Sequence, residues 1–301
     1  MNHGSWWIEP SAGAFLEAHG TNAYRIASGE GFWIERYGAA ALISTRISRT
    51  DHEFLTELID WSRKTSFACD SVYLRRLVTA PGVDDTPTLL SGNPESPKRI
   101  VSENSLRYEI DFSLGYNPGL FTDQRSNRIF LAELSPKRLL NTFAHTCAFS
   151  VAAANCGAET LNVDISKSSL GRGRLNFDLN SIDTRGHRFV AEDVPTFLRR
   201  LAKRGETFDA IILDPPTFGR GGGGKTFRFE RDFEQILTDA LAVSSPSASL
   251  LLSTNCLAWN EACLESQARK ILPPGTRFEC APAQADYPTR VPSVSLWARL
   301  P

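Results

Sequence analysis

Two rhythms of apolar and polar positions run along this chain. From Tyr24 to about Ser113 the period is mainly that of half-buried strands. Phe32-Trp33-Ile34 and Ala40-Ala41-Leu42-Ile43 flank a turn, and Leu106, Tyr108, Ile110 and Phe112 alternate with Arg107, Glu109, Asp111 and Ser113. One helix interrupts the strands, because Phe54, Leu55, Leu58, Ile59 and Trp61 recur at helical spacing. The stretch from Thr79-Ala80-Pro81-Gly82 to Ser96-Pro97 is rich in Pro, Gly, Ser and Asp and reads as a long surface loop. Residues 1–113 therefore predict a small α+β, β-rich accessory domain. Its Trp and Tyr residues have two uses open to them, as core or as platforms on which bases stack.

After about Pro136 the rhythm changes to strands alternating with helices. Leu139-Leu140-Asn141-Thr142-Phe143, Thr160-Leu161-Asn162-Val163-Asp164, Arg188-Phe189-Val190, Ala210-Ile211-Ile212-Leu213 and Ser249 to Ser253 read as strands, closed by Phe278 and Val294-Ser295-Leu296-Trp297. Helices are expected from Ser150 to Asn155, near Lys167 to Asn180, from Val194 to Lys203, from about Phe229 to Val243 and from Glu261 to Ile271. Such alternation builds a mainly parallel sheet covered on both faces, so residues 114–301 read as a Rossmann-like α/β domain.

One strand end stands out chemically. Ala210-Ile211-Ile212-Leu213 runs into Asp214-Pro215-Pro216-Thr217-Phe218 and then into Gly219-Arg220-Gly221-Gly222-Gly223-Gly224-Lys225-Thr226. The prolines fix φ and remove two backbone donors, which leaves carbonyls and a carboxylate at the edge where open α/β sheets bind ligands. The run from Gly219 to Thr226 also fits the phosphate-loop pattern G-x-x-x-x-G-K-[ST]. A phosphate loop, however, needs its first glycine directly after the strand and a helix from the Lys-Thr, whereas five residues intervene here and Phe227-Arg228-Phe229 follows. A glycine loop beside the site is the preferred reading.

Composition narrows the classes. With 33 basic and 34 acidic residues the net charge is −1, so no global field draws the chain to nucleic acid or membrane and any RNA contact is local. The six cysteines include no C-x-x-C pair, which argues against a zinc site or a disulfide framework and fits a reducing, cytoplasmic compartment. The start, Met1-Asn2-His3-Gly4-Ser5-Trp6-Trp7, lacks the basic and apolar regions of a leader, and no apolar run reaches the roughly 20 residues of a membrane span. A soluble, unexported protein is expected.

Acids at successive strand ends point to a nucleoside-containing cofactor, which needs a carboxylate for its ribose hydroxyls and an acceptor for its adenine amine. Asp164 and Asp193 are placed for these tasks, although Asp also serves well as a helix cap in the same position. The turn after the first strand, Ala144-His145-Thr146-Cys147-Ala148-Phe149, holds no glycine, and a pyrophosphate needs the close backbone approach that glycine allows. S-adenosylmethionine has no phosphate to cradle, and its sulfonium suits an aromatic face or a carboxylate, so that cofactor is favoured over NAD.

Several ordered segments resemble one family. They are Ser102-Glu103-Asn104-Ser105-Leu106-Arg107-Tyr108, Gly119 to Arg128, Leu140-Asn141-Thr142-Phe143-Ala144-His145-Thr146, Val163-Asp164-Ile165-Ser166, Asn176-Phe177-Asp178-Leu179-Asn180 and Asp214-Pro215-Pro216-Thr217-Phe218. Together, from about Arg99 onward, they resemble the class I S-adenosylmethionine-dependent methyltransferases of bacterial large-subunit (23S) ribosomal RNA that carry a β-rich domain before the catalytic one. The resemblance implies a seven-stranded methyltransferase sheet and RNA as partner. It implies that Asp164, with Ile165 and Ser166, holds the cofactor ribose, that Asp193 sits by the adenine, and that Phe143, Ala144, His145 and Thr146 wrap the methionine end. Asp123, Gln124 and Arg125 would reach over the same pocket, and Asp214, Pro215 and Pro216 would face the methyl group and target base. No metal is implied.

The chain departs from the family twice. Cys147 and Ala148 stand where its first turn carries glycines, and their β-carbons would narrow the pocket. The cytosine-C5 members attack the ring with a cysteine, whereas the later strand here ends Leu252-Ser253-Thr254-Asn255-Cys256, with Asn255 at the cysteine position. Guanine-N7 members share the Ser-x-Asn ending, which favours methylation of a ring nitrogen and gives Asn255 a place in the catalytic set. Cys256 keeps the cytosine-C5 alternative open. A non-catalytic RNA-binding scaffold with a degenerate pocket is the rival from another class. Bland readings stand beside these: His145 as a turn residue, Cys256 as a buried hydrophobe, Arg125 and Arg128 as ion-paired structure, and Arg199-Arg200-Lys203-Arg204 as a solvated helix face.

Overall fold

The computed structural model describes residues 6–47, 50–65, 67–77, 85–115, 117–220, 226–288 and 292–301. The chain divides into two compact units, Met1–Thr122 with Gln284–Thr289, and Asp123–Ala283 with Arg290–Pro301.

The first unit contains β1 (Trp6–Trp7), α1 (Pro10–Ala18), β2 (Ala23–Gly29), β3 (Phe32–Tyr37), β4 (Ala40–Thr45), α2 (Asp51–Ser62), β5 (Ser71–Arg76) and β6 (Thr88–Gly92), followed by the hairpin β7 (Lys98–Glu103) and β8 (Leu106–Asp111). The first six strands form one sheet in chain order, antiparallel except between β4 and β5, where α2 supplies the crossover that a parallel pair requires. A reciprocal cap between Thr50 and Glu53 starts α2, and Phe54, Leu58 and Trp61 are its buried face. The large aromatics serve mainly as core: Tyr24, Phe32, Phe54, Trp61 and Phe67 lie in one cluster, and Tyr73 stacks on Phe112 with ring centroids 4.1 Å apart. The expected loop before Pro97 contains strand β6, an edge strand exposed over most of its length, so no apolar period marks it. The start of that stretch, residues 79–84, lies outside the described residues.

The second unit contains α3 (Arg125–Leu134), β9 (Arg138–Thr142), α4 (Ala148–Asn155), β10 (Glu159–Asp164), α5 (Lys167–Leu179), β11 (Arg188–Ala191), α6 (Val194–Lys203) and β12 (Phe208–Leu213). The hairpin β13 (Phe218–Arg220) and β14 (Thr226–Arg228) follows, then α7 (Phe229–Leu241), β15 (Ser244–Thr254), α8 (Glu261–Ala268), β16 (Arg277–Glu279) and β17 (Val294–Arg299). Among the described residues seven strands form one sheet in the order β11-β10-β9-β12-β15-β17-β16. The first five are mutually parallel, and β17 is antiparallel to both neighbours.

Alternating residues of the central strands feed two cores. Leu140, Val163, Ile211, Leu213, Leu250 and Leu252 pack with Phe197, Leu201, Phe233, Ile236 and Leu264 of α6, α7 and α8. Leu139, Ile212 and Leu251 pack with Leu131 of α3 and Phe149 and Ala153 of α4. Each such buried Leu or Ile contributes about 1.5–3 kcal/mol. The chain builds outward from β9 to β11 and then returns to β12, so strand order reverses between β9 and β12. At such a reversal the flanking loops diverge and open a crevice at the carboxyl ends of the strands.

The phosphate-loop pattern lacks its helix: Thr226 begins β14, and α7 starts only at Phe229. Residues 221–225 of that run lie outside the described residues. No helix among the described residues is long and apolar enough to cross a membrane.

Candidate functional site

At the carboxyl end of β9 the chain turns through Phe143, Ala144, His145, Thr146 and Cys147 into α4. Phe143, His145 and Cys147 adopt φ of +52°, +47° and +61°, left-handed conformations that cost L-residues about 1–2 kcal/mol each. Strain of this kind persists only where surrounding bonds over-determine it. Here Ala144 N–H donates to the Val163 carbonyl at 3.0 Å, and Cys147 N–H donates to the Ala144 carbonyl at 2.7 Å. The Phe143 ring, half-buried, lies 5.8 Å from that of Phe227 on β14.

Asp164 ends β10 and holds the turn from the next strand. Its carboxylate accepts His145 N–H and Ser166 N–H, each at 2.8 Å. It is not the helix cap: Ser166 caps α5, its hydroxyl accepting the Ser169 N–H at 3.1 Å. Ile165, between them, is 55% exposed and leaves apolar surface at this edge. Burial, and secondarily Arg172, depresses the His145 pKa to about 4, so its ring is neutral near pH 7.

Asp193 does cap a helix. Its carboxylate accepts Thr196 N–H at 3.1 Å and the Thr196 hydroxyl at 2.7 Å at the start of α6. On that helix Arg199 pairs with Asp239 at 3.0 Å and Arg200 with Glu192 at 2.8 Å, so this part of the basic cluster is an ion-paired helix face.

Asp214 follows β12, across the switch point from the turn. A run of buried hydrogen bonds with one consistent direction leads to Ser253 on β15. Trp297 Nε1 donates to Asn127 Oδ1 at 3.0 Å, Asn127 Nδ2 to Gln124 Oε1 at 2.7 Å, and Gln124 Nε2 to Ser253 Oγ at 2.9 Å. The Ser253 side chain, at the end of this run, favours the ionised Asp214 carboxylate. Gln124 Nε2 also donates to Ser293 Oγ at 3.1 Å, whose hydroxyl donates to Asp123 at 2.9 Å. Burial raises the Asp214 pKa to about 6; Ser253 lowers it, Asp123 raises it and Arg128 lowers it. Arg125 and Arg128 are both buried on α3, and the Arg128 guanidinium lies 5.6 Å from the centre of the Phe149 ring. Pro215 is buried and Pro216 exposed.

At the end of β15 alternation separates the two candidate residues. Asn255 is exposed, whereas Cys256 is buried in the main core, its sulfur 3.6 Å from Glu230 Oε1. Burial pushes the Cys256 thiol up.

The sequence marks Asp123, Gln124 and Asp214 as site residues but not Ser293, which links Gln124 to Asp123, nor Ser253, Asn127 and Trp297, which extend the network from Gln124. Small polar residues inside apolar strands were the available signal, since a buried hydroxyl or amide requires a partner.

Comparison with known proteins decides the family. The sequence family described as S-adenosylmethionine-dependent methyltransferase matches residues 55–300. This chain belongs to that family. YwbD of Bacillus subtilis (strain 168) is 32% identical over 254 residues, which cover 81% of this chain and 63% of YwbD. Ribosomal RNA large subunit methyltransferase I of Aeromonas salmonicida (strain A449) is 31% identical over 222 residues, covering 70% of this chain and 56% of the relative. The chain thus spans only about 63% and 56% of these two relatives. The crystal structure of SMU.776 complexed with SAH superposes with a TM-score of 0.81 at 24% identity, covering 96% of this chain and 78% of that one, which shows the shared fold.

The residues at the crevice fit the family's cofactor. Asp164 offers an anchored carboxylate for hydroxyl groups, Ile165 exposed apolar surface, and Phe143 an aromatic ring beside the turn.

Proposed function

We propose that this methyltransferase moves a methyl group from S-adenosylmethionine to a ring nitrogen of a ribosomal RNA base, in the manner of a guanine-N7 transfer. The observation that carries the proposal is the pair of carboxylates, Asp164 and Asp214, at the ends of β10 and β12, the strands on either side of β9. Asp164 is fixed by two backbone N–H groups and holds the ribose, with Ile165 and Ser166 beside it. Phe143, Ala144, His145 and Thr146 line the methionine end, and Asp193 lies toward the adenine. Bound S-adenosylmethionine supplies an electrophilic methyl group on a sulfonium. Asp123, Gln124 and Arg125 support the Asp214 edge, where Asp214, Pro215, Pro216 and Asn255 hold the base in line. A ring nitrogen attacks with its own lone pair, so the protein needs to orient the base and exclude water rather than form a covalent adduct. The Asp214 carboxylate favours the positive charge that the ring acquires.

Large-subunit ribosomal RNA as substrate is supported by the name of the Aeromonas relative. The burial of Cys256 and its raised thiol pKa speak against the cytosine-C5 alternative, which needs an exposed thiolate. The first unit, whose large aromatics are mostly committed to its core, would meet RNA through polar groups at its surface.

The test is incubation of the protein with labelled S-adenosylmethionine and deproteinised bacterial ribosomal RNA, followed by nucleoside analysis. Label in 7-methylguanosine supports the reading, label in 5-methylcytidine moves it to Cys256, and no label with any ribosomal substrate favours the RNA-binding scaffold.

A further inference from the structure

Helix α5 contains two glycines, Gly171 and Gly173, in its interior, where each weakens a helix relative to Ala. Their surroundings differ. A β-carbon on exposed Gly171 would meet nothing within 4 Å. One on buried Gly173 would collide with Cys147 Sγ and lie 3.1 Å from Cys147 Cβ and 3.5 Å from the Thr146 carbonyl carbon. Cys147 is fully buried, so its side chain lies against α5 in the space that Gly173 leaves. One turn further along the same helix, buried Asn176 donates from Nδ2 to the Thr146 carbonyl at 2.9 Å. Gly173 and Asn176 lie three residues apart and thus share a face.

We propose that this face of α5 is the seat of the glycine-free turn. Gly173 accommodates the Cys147 side chain and Asn176 fixes the Thr146 carbonyl, so the backbone of residues 143–147 is held open for the cofactor without a glycine of its own. The missing β-carbon has moved from the turn to the helix that supports it. Gly173 and Asn176 are positioning residues, and the inference rests on the turn being the cofactor site proposed above. It also removes the expected obstruction by Cys147, since the side chain occupies helix space.

The test is a double-mutant cycle read by unfolding temperature and by calorimetric titration with S-adenosylhomocysteine, using Gly173→Ala, Cys147→Ala, Cys147→Ala/Gly173→Ala and the control Gly171→Ala. Alanine at 147 keeps that residue's left-handed strain while vacating the sulfur's space, so recovery in the double variant reports the contact itself. Gly173→Ala is expected to unfold several degrees lower and to bind about tenfold more weakly or worse, because overpacking displaces the turn. The double variant should recover to within about threefold of Cys147→Ala, and Gly171→Ala should match the parent in affinity. Parent-like behaviour of Gly173→Ala, or no recovery in the double variant, overturns the proposal. If the parent binds no S-adenosylhomocysteine, the cofactor reading fails, and the seat is judged by the same recovery pattern in unfolding temperature. If Gly173→Ala does not fold, a folded double variant supports the seat and an unfolded one overturns it.

Discussion

The Asp164 carboxylate accepts the backbone N–H of His145 at 2.8 Å, and so joins the end of β10 to the strained turn that follows β9. The other carboxylate oxygen accepts the Ser166 N–H at 2.8 Å, which fixes the start of α5. One acid thereby holds two loops of the crevice. Asp164→Asn keeps a single acceptor oxygen and must abandon one of the two bonds. A loss of about 1–3 kcal/mol of stability is expected, measured by urea unfolding; a parent-like midpoint and slope would contradict this account of the turn.

Asp214 gives a pH signature. Its native pKa of about 6 stands above the ordinary 3.8 because of burial, so between those values the native state binds more protons than the unfolded chain. Its contribution is therefore most favourable at low pH and declines as pH rises through that window, by on the order of 2–3 kcal/mol. His145 acts in the opposite sense, because a depressed pKa makes acid unfavourable to the native state. The parent's own curve mixes the two. The unfolding free energy of the parent minus that of Asp214→Asn isolates Asp214 and should fall from pH 4 to pH 6, the parent losing stability relative to the variant; a pH-independent difference would refute the assignment.

Cys256 should be chemically quiet. It is buried with a raised thiol pKa, whereas Cys156 is exposed, and Cys280, though its pKa is also raised by partial burial and by Glu261 and Glu265, is exposed to reagent. Alkylation near neutral pH followed by peptide mapping should label Cys156 well before Cys256 and Cys147. Cys256→Ala should leave methyl transfer to a ring nitrogen within about threefold of the parent, the lost volume being small. Abolished transfer, with a trapped RNA adduct in the parent, would show a nucleophilic cysteine instead.

Gln124 is the branch point of the buried network, bonded to Ser253, Ser293 and Asn127. Gln124→Leu fills similar volume but removes a buried hydrogen bond from each of those partners, so a loss of about 1–3 kcal/mol is expected. Arg200→Ala breaks an ion pair near the surface and should cost about 0.5 kcal/mol or less. Thermal and urea unfolding of the two variants, compared side by side, check the contrast; equal losses would mean that the network is not the stabilising feature.

Most strands of the second unit were legible because parallel strands buried on both faces read as short apolar runs, and Asp164 and Asp214 mark where two of them stop. Helix α3 was not, since its buried residues include Arg125, Asn127 and Arg128 while Ile129 is 37% exposed, the reverse of an apolar stripe. Helix α1 has no side-chain cap and carries Gly13 in its middle, so neither propensity nor capping announces it. Within the site the acids were readable, but the conformation of the turn was not: left-handed backbone is normally signalled by glycine, and here Phe143, His145 and Cys147 adopt it because Val163, Asp164 and α5 hold them there.

The most direct test of the central claim, that the turn and Asp164 form a cofactor site, is calorimetric titration of S-adenosylhomocysteine into the parent and Asp164→Asn proteins under one set of conditions. The account predicts micromolar binding by the parent and a loss of about tenfold or more in the variant, as expected for loss of a hydrogen bond to a charged group. Equal affinities, or no binding by the parent at millimolar ligand, would contradict it.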